Sequence, residues 1–326
     1  MKKLLFTIVA SVFAIANTHA QDFFATFAAL EHNGNITTFT GGHALQEAVQ
    51  AADNGDVITL SAGVFSLDND PLNLTKSITL RGAGMDVKNG KNLTYVRGYS
   101  INTDFNTSPN ASFVFEGIDF DCVLHSYSAT VSETDNTCVT SGSVTVNKCF
   151  VNGFITDAKN VVITDSKING LNVMSDASVK CYNSFIYGSN TNYGATYTSC
   201  VVVSGGYGTY ENCICAWMNG TYYPYPFTLC PAKDCIYILD KSDIPVSAIN
   251  VDITYVVNWS DVFDFEEFSN GDPDFLRQQD FASKLKPFPG IFTYSPLLDL
   301  PTIKSLNVAK ESTADGKLSI DVEIED

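Results

Sequence analysis

The sequence predicts an all-β solenoid, one domain of short parallel strands stacked coil on coil, and three observations predict it. The pattern apolar-x-apolar-x-x-inward-x-apolar occurs eight times between Ile78 and Ile214. Its second position advances from Leu80 by 16, 19, 31, 17, 18, 15 and 13 residues to Thr209, so that, the 31 apart, each step is one short coil. A unit of that length cannot bury its own apolar face and must stack on its neighbours.

The copies are Ile78-Leu80-Ala83-Met85, Thr94-Val96-Tyr99-Ile101, Phe113-Phe115-Ile118-Phe120, Val144-Val146-Cys149-Val151, Val161-Ile163-Ser166-Ile168, Val179-Cys181-Ser184-Ile186, Gly194-Thr196-Ser199-Val201 and Tyr207-Thr209-Asn212-Ile214. Alternation at period two sends every second side chain to one face of a strand, and the doubled x-x step interrupts it once per copy. Each copy is therefore expected to be two strands joined by a bend that turns both toward one interior. The bend column reads Gly82, Gly98, Gly117, Lys148, Asp165, Asn183, Thr198 and Glu211, and Gly, Asn and Asp are the residues that best tolerate left-handed backbone angles. The interval of 31 places a polar surface insertion at 122–142, since solenoid insertions become loops.

Residues 1–20 combine Lys2 and Lys3, an apolar run from Leu4 to Ala16, and Thr18 and Ala20 before Gln21. They read as a cleaved secretory signal, too short to span a bilayer, and the absence of a Cys at the cleavage point argues against a lipoprotein. The expected address is secreted, periplasmic or cell-surface. Residues 21–56 form a lead-in and an N-terminal cap. His43 to Ala52 has helical spacing, with Ala44, Leu45, Val49 and Ala52 available to cover a core, and Asp53-Asn54-Gly55-Asp56 ends it. A helix ahead of the strand at Val57–Leu60 would plug the open end of a solenoid, which otherwise exposes apolar side chains and unpaired backbone. The body runs over 57–300. In the tail, 301–326, Ile303–Val308 and Leu318-Ile320-Val322-Ile324 alternate like a terminal strand pair.

These residues also carry a resemblance. The segments HALQEAVQAADNGDVITLSAGVFSL (43–67) and LTKSITLRGAG (74–84) resemble the opening of right-handed parallel β-helix proteins of the pectin-lyase-like superfamily. GDPDFL at 271–276, KL at 284 and SPLLD at 295–299 are similar to the closing segment of many exported bacterial members. The resemblance implies a right-handed parallel β-helix with an N-terminal helical cap, exported from a bacterial cell, and is nearly silent about chemistry.

A net charge of −17 argues against nucleic acid and anionic membranes as partners. Uronate-rich polysaccharides would also be repelled unless calcium or a basic patch intervened. Nine cysteines in an exported chain suggest disulfides with thiols left over. Cys122 and Cys138 flank the insertion, Cys200 and Cys213 share an outward column on successive coils about 4.8 Å apart, and Cys230 and Cys235 form a third candidate pair. Cys149 and Cys181 fall at inward positions and read as inert buried thiols.

If the resemblance implied an enzyme, its constellations should be present. Polygalacturonase-like hydrolases carry Asn-Thr-Asp, Asp-Asp, Gly-His-Gly and Arg-Ile-Lys segments, because glycoside hydrolysis needs convergent carboxylates. Asn102-Thr103-Asp104 matches the first and the other three are missing. Pectate-lyase-like enzymes need a calcium cluster and a basic residue. Arg81 and Arg97 are expected on consecutive coils with Glu116 on the next, a salt-bridged column rather than a catalytic one. His32, His43 and His125 neighbour no recognisable nucleophile. No cofactor is expected; calcium at Asp119, Asp121, Asp157, Asp165, Asp176 or Glu211 is the alternative to a solvated acidic surface.

The outward column before the bend continues as Tyr182, Tyr197 and Tyr210 on three successive coils. Three such rings would make a flat strip on which sugars can lay their C–H faces. The expectation is an exported glycan-binding protein, non-catalytic or catalytically unassigned, with these tyrosines as its ligand-binding residues. A polysaccharide lyase or glycoside hydrolase with an unfamiliar site is the alternative from another class, and an adhesion or scaffold protein is a third.

Overall fold

The computed structural model of the 326-residue chain describes residues 26–67, 70–85, 93–105, 107–127, 141–156, 158–173, 177–191, 195–203, 208–216, 231–239, 252–255, 302–308 and 320–325. The expected signal at 1–20 and the closing segments at 271–276 and 295–299 lie outside them.

A hairpin, β1 (Phe27–His32) and β2 (Asn35–Thr40), precedes a helix, α1 (Ala44–Ala51). The coils follow as β3 (Asp56–Leu60), β4 (Gly63–Ser66) and β5 (Leu72–Leu74); β6 (Ile78–Arg81) and β7 (Thr94–Asp104); β8 (Ser112–Glu116) and β9 (Asp119–Tyr127); and β10 (Ser143–Asn147), β11 (Phe150–Val151) and β12 (Phe154–Thr156). They continue as β13 (Asn160–Thr164) and β14 (Lys167–Val173), β15 (Ser178–Tyr182) and β16 (Phe185–Thr191), β17 (Ala195–Thr198) and β18 (Val201–Val203), β19 (Gly208–Glu211) and β20 (Ile214–Ala216), and β21 (Ala232–Lys233) and β22 (Ile236–Leu239), with β23 (Asp252–Tyr255) after them. One leg of each coil adds to a first sheet, ordered β2-β1-β3-β6-β8-β10-β13-β15-β17-β19-β21, and the other to a second sheet running from β4 to β23. The coil-to-coil pairing is parallel in both sheets. This is an all-β parallel solenoid. A separate unit holds an antiparallel pair, β24 (Thr302–Val308) with β25 (Ile320–Glu325), as expected for the tail.

The core is the stack of inward columns. Phe113, Val144, Val161 and Val179 lie in register along the first sheet, and Phe120, Val151, Ile168 and Ile186 along the second, all buried. Phe105 packs edge-on against Phe113, and Phe115 against Phe120, each with ring centroids 5.5 Å apart. The bend between the sheets is one residue in the left-handed region: Gly117 (φ 64°), Lys148 (51°), Asp165 (48°), Asn183 (44°), Ser199 (53°), Asn212 (54°) and Asp234 (55°). Gly82 does not share this geometry. It is a close approach instead, where a Cβ would sit 2.3 Å from the Gly117 carbonyl oxygen.

Directly after each bend a short inward side chain builds a hydrogen-bonded ladder. Ser184 Oγ donates to the Tyr182 carbonyl (2.7 Å) and accepts from the Ser166 N–H (3.1 Å); Ser166 Oγ donates to the Thr164 carbonyl (2.7 Å) and accepts from the Cys149 N–H (3.1 Å). Cys200 and Cys213 continue it, donating to the carbonyls of Thr198 and Glu211 at 3.3 and 3.2 Å. The bend thus leaves no buried N–H of Cys149 or Ser166 unpaired, which would otherwise cost stability.

Three expectations are corrected. The last two copies slip by one residue: Ala195, Tyr197 and Cys200, then Gly208, Tyr210 and Cys213, take the inward positions assigned to Thr196, Ser199, Thr209 and Asn212. A slip of one flips every side chain of a strand to the other face. The second copy is not a coil of its own, because Thr94–Arg97 lies in the second sheet, with Tyr95 opposite Asp119 and Arg97 opposite Asp121. Arg81 therefore pairs directly with Glu116 across adjacent strands, Nε donating to Oε2 at 2.7 Å, and Arg97 stands outside that column. The insertion does not begin at 122, since β9 runs through Tyr127 in register with β7. Within the lead-in, β1 pairs antiparallel with β3, and Asn33-Gly34 (φ 51° and 79°) forms the hairpin turn.

The helix falls where the spacing predicts, burying Ala44, Leu45 and Ala48, and Gln46 Nε2 donates to the Ser66 carbonyl at 2.7 Å. No helix among the described residues is long and apolar enough to cross a membrane.

Candidate ligand-binding face

The three tyrosines do not form a face. Tyr182 stands outward on β15 with 39% of its surface exposed, in register with Thr164 and Thr198. Tyr197 and Tyr210 point inward, fully buried and stacked with centroids 4.8 Å apart and planes 9° from parallel. Volume explains the inversion. The neighbouring inward positions are small, Ala195 and Gly208, and a Cβ on Gly208 would come 2.9 Å from Tyr197 Cε2. The buried phenol of Tyr197 is satisfied by Ser189 Oγ at 2.8 Å.

The cysteine pairs fare similarly. Cys122, Cys149, Cys181, Cys200, Cys213, Cys215 and Cys235 are all buried free thiols. Cys200 and Cys213 lie inside the solenoid, where the Cys200 N–H donates to Cys213 Sγ at 3.5 Å, instead of on its outer surface. Cys122 is an inward residue of β9, not the flank of a loop. Cys138 and Cys230 lie outside the described residues, so the pairs containing them are not described. Burial pushes the thiols of Cys122 and Cys149 up to about 12.

The acids proposed for calcium are scattered. Asp165 accepts from Asn183 Nδ2 at 2.5 Å, Glu211 pairs with Lys233 at 2.8 Å, and Asp157 and Asp176 fall outside the described residues. Among the described residues no group of three or more His, Cys, Asp and Glu side chains is placed to hold a metal ion. Of the histidines, His32 Nδ1 bonds Asp56 Oδ1 and its Nε2 faces Asn33 Nδ2, both at 2.8 Å, an arrangement that ties the hairpin to β3 and holds no nucleophile.

What the register does bring together lies on the outward face of the second sheet. Two columns run there across successive coils. The first, next to the bend, holds Tyr95, Asp119, Phe150, Lys167 and Phe185; the second holds Arg97, Asp121, Asn152, Asn169 and Tyr187. The first column is a floor: Asp119 is 3% exposed, Lys167 8% and Phe185 2%. The second is a rim, with Arg97, Asp121, Asn152 and Tyr187 exposed. Tyr95 Oη donates to Asp121 Oδ2 at 2.5 Å and Asn152 Nδ2 reaches Asp121 Oδ1 at 3.4 Å, which fixes that carboxylate between two coils. Lys167 Nζ lies 4.9 Å over the Phe150 ring, the residue that separates it from Asp119 in the column.

Burial and the Asp121 charge push the Asp119 carboxyl up to about 7, against a smaller pull from Lys167. Burial brings Lys167 down to about 8, with Asp119 opposing. The Tyr95 phenol rises to about 12 through burial and its bond to Asp121. Two groups on one face that titrate near neutrality are able to exchange protons with a bound molecule. Two acceptors on the face have no donor: Asp119 Oδ1 and Asn169 Oδ1 are both shielded from solvent and unbonded. The sequence alone offers Asp119 and Asp121 only as two of six acids on the coils. Placing Thr94–Arg97 in the second sheet was the missing step, because it alone sets Tyr95 beside Asp119 and Arg97 beside Asp121.

A groove of about 410 Å³ lies between α1 and β5. Its one cation, Lys76, already donates to the Ala52 carbonyl and pairs with Asp53 at 3.7 Å, so it offers a ligand little.

The fold and face define a parallel β-solenoid with a mixed polar and aromatic surface on its second sheet. Comparison with protein-family models, with curated proteins and with solved structures finds no match for this chain.

Proposed function

We propose that this is an exported bacterial glycan-binding protein of the pectin-lyase-like kind, a right-handed β-helix closed at its N-terminal end by α1, and that its ligand lies on the outward face of the second sheet. The observation that carries this reading is the pair of columns running across the strands, where aromatic and hydrogen-bonding side chains (Tyr95, Asp121, Asn152, Asn169 and Tyr187) repeat at the strand spacing of about 4.8 Å. A glycan chain presents apolar C–H faces and polar edges at regular intervals, and such a surface matches both. Right-handedness is supported by the general hand of parallel crossover connections, and export by the basic and apolar composition of residues 1–20.

A specific observation favours a second reading. Asp119 and Lys167, titrating near 7 and 8, are suited to general acid or base work in a polysaccharide lyase or glycoside hydrolase. One experiment separates the two. Incubation with a panel of plant and bacterial polysaccharides, followed by affinity electrophoresis and by assay for new reducing ends and unsaturated products, is expected to show retardation without depolymerisation. Depolymerisation establishes the enzyme, and neither retardation nor products across the panel removes both readings in favour of adhesion or scaffolding.

A further inference from the structure

The charge and hydrogen-bonding state of the second-sheet face narrow its ligand. Within the two columns Arg97 and Lys167 stand against Asp119 and Asp121, so the face is formally balanced on a chain whose net charge is −17. Its unmet groups are of one kind. Asp119 Oδ1 and Asn169 Oδ1 are carboxyl and carboxamide oxygens, shielded from solvent and lacking donors, and native proteins rarely leave such atoms unpaired. A molecule that completes this face must therefore bring hydrogen-bond donors to two points.

Donors come as cations or as neutral hydroxyl and N–H groups. Lys167 lies in the same column as Asp119, two coils away across Phe150, and two residues from Asn169 on its own strand, so an ammonium group would meet a like charge there. The carboxylate of an anionic sugar would bring a further acceptor to a face whose unmet groups are already acceptors. Asp119 and Asn169 belong to β9 and β14, with β11 between them, and stand in neighbouring columns, so they are two strand spacings across and two residues along the strand apart, roughly 12 Å. That span crosses three coils, and one coil is close to the length of one pyranose residue. Resting on the glycan-binding reading above, we infer that the ligand is an uncharged, hydroxyl-rich glycan chain laid across the strands of β9, β11 and β14, with one sugar residue per coil and hydroxyl donors completing Asp119 and Asn169.

The test is calorimetric titration of the full chain with neutral β-linked gluco-, xylo- and manno-oligosaccharides of two to six residues, and with an oligogalacturonide and a chitosan oligomer as charged probes. Neutral oligomers are expected to bind at least tenfold more tightly than either charged probe, and their affinity to rise up to three residues and then level off. Asn169→Leu and Asp119→Leu should each weaken binding about tenfold while leaving the melting temperature unchanged or higher, because each removes an acceptor that has no partner in the fold to lose. Should Asn169→Leu lose its near-UV circular dichroism, the nearly isosteric Asp119→Leu carries the comparison. Tighter binding of a charged probe, or undiminished binding by a folded variant, overturns this inference and leaves glycan binding standing. Absence of binding by every probe overturns both.

Discussion

Gly208→Ala is the sharpest perturbation of the slipped register. In the structure Gly208 faces inward beside the Tyr197–Tyr210 stack, and an added Cβ would lie 2.7 Å from the Ala195 carbonyl oxygen and 2.9 Å from Tyr197 Cε2. The first of these is backbone in a paired strand and the second a buried ring, so neither moves aside cheaply. Overpacking of this kind costs about 1–3 kcal/mol. Were the strand turned the other way, with Tyr197 and Tyr210 outward, Gly208 would face solvent and the substitution would instead stabilise by about 0.4–1 kcal/mol through loss of unfolded-state entropy. The sign of the change therefore reports the register. Urea unfolding followed by near-UV circular dichroism, which senses the buried tyrosines, is the assay. A midpoint at or above that of the unsubstituted protein refutes the inward placement.

Other outcomes follow from the same structure. Lys148 holds φ 51° at a bend whose preceding coil uses Gly117, so Lys148→Gly should stabilise by about 1 kcal/mol, measured by the same unfolding assay. Cys200 and Cys213, buried thiols inside the core, should resist alkylation in the native protein and label fully after denaturation, as read by peptide mass mapping; a disulfide-linked peptide containing both contradicts the placement. Asp119 titrates near 7 in the fold against about 4 in an unfolded chain, so its protonated form favours the native state below pH 4, and that contribution is lost as pH rises through 7. Asp119→Asn should accordingly gain on the unsubstituted protein by up to about 4 kcal/mol between pH 4 and pH 8; a difference that does not vary with pH contradicts the assignment.

Much of the fold was legible because period-two alternation and a tolerant bend residue are written into each coil. From Phe113 to Ile186 the four copies and their bend residues coincide with the observed inward columns. The pattern misleads where the sequence fits it one residue out of register: Gly194-Thr196-Ser199-Val201 and Tyr207-Thr209-Asn212-Ile214 match it and turn Tyr197 and Tyr210 outward, yet the Tyr197 phenol finds a buried partner in Ser189 Oγ. Gly208, a residue that yields space, was the available sign that a ring lay next to it. Asn33-Gly34, a strong hairpin signal, was likewise present in the chain and marks β1 and β2. The second-sheet face was harder to find. Its members lie as far apart in sequence as Tyr95 and Tyr187, and only the pairing of β7 with β9 aligns them.

Amide hydrogen exchange with and without a saturating neutral oligosaccharide tests the location of the ligand face most directly. Slowed exchange should fall on the second-sheet segments around Tyr95–Arg97, Asp119–Asp121, Phe150–Asn152 and Lys167–Asn169, leaving the first-sheet strand that carries Tyr182 unchanged. Protection centred on Tyr182 and its first-sheet neighbours, with none on the second sheet, would contradict it.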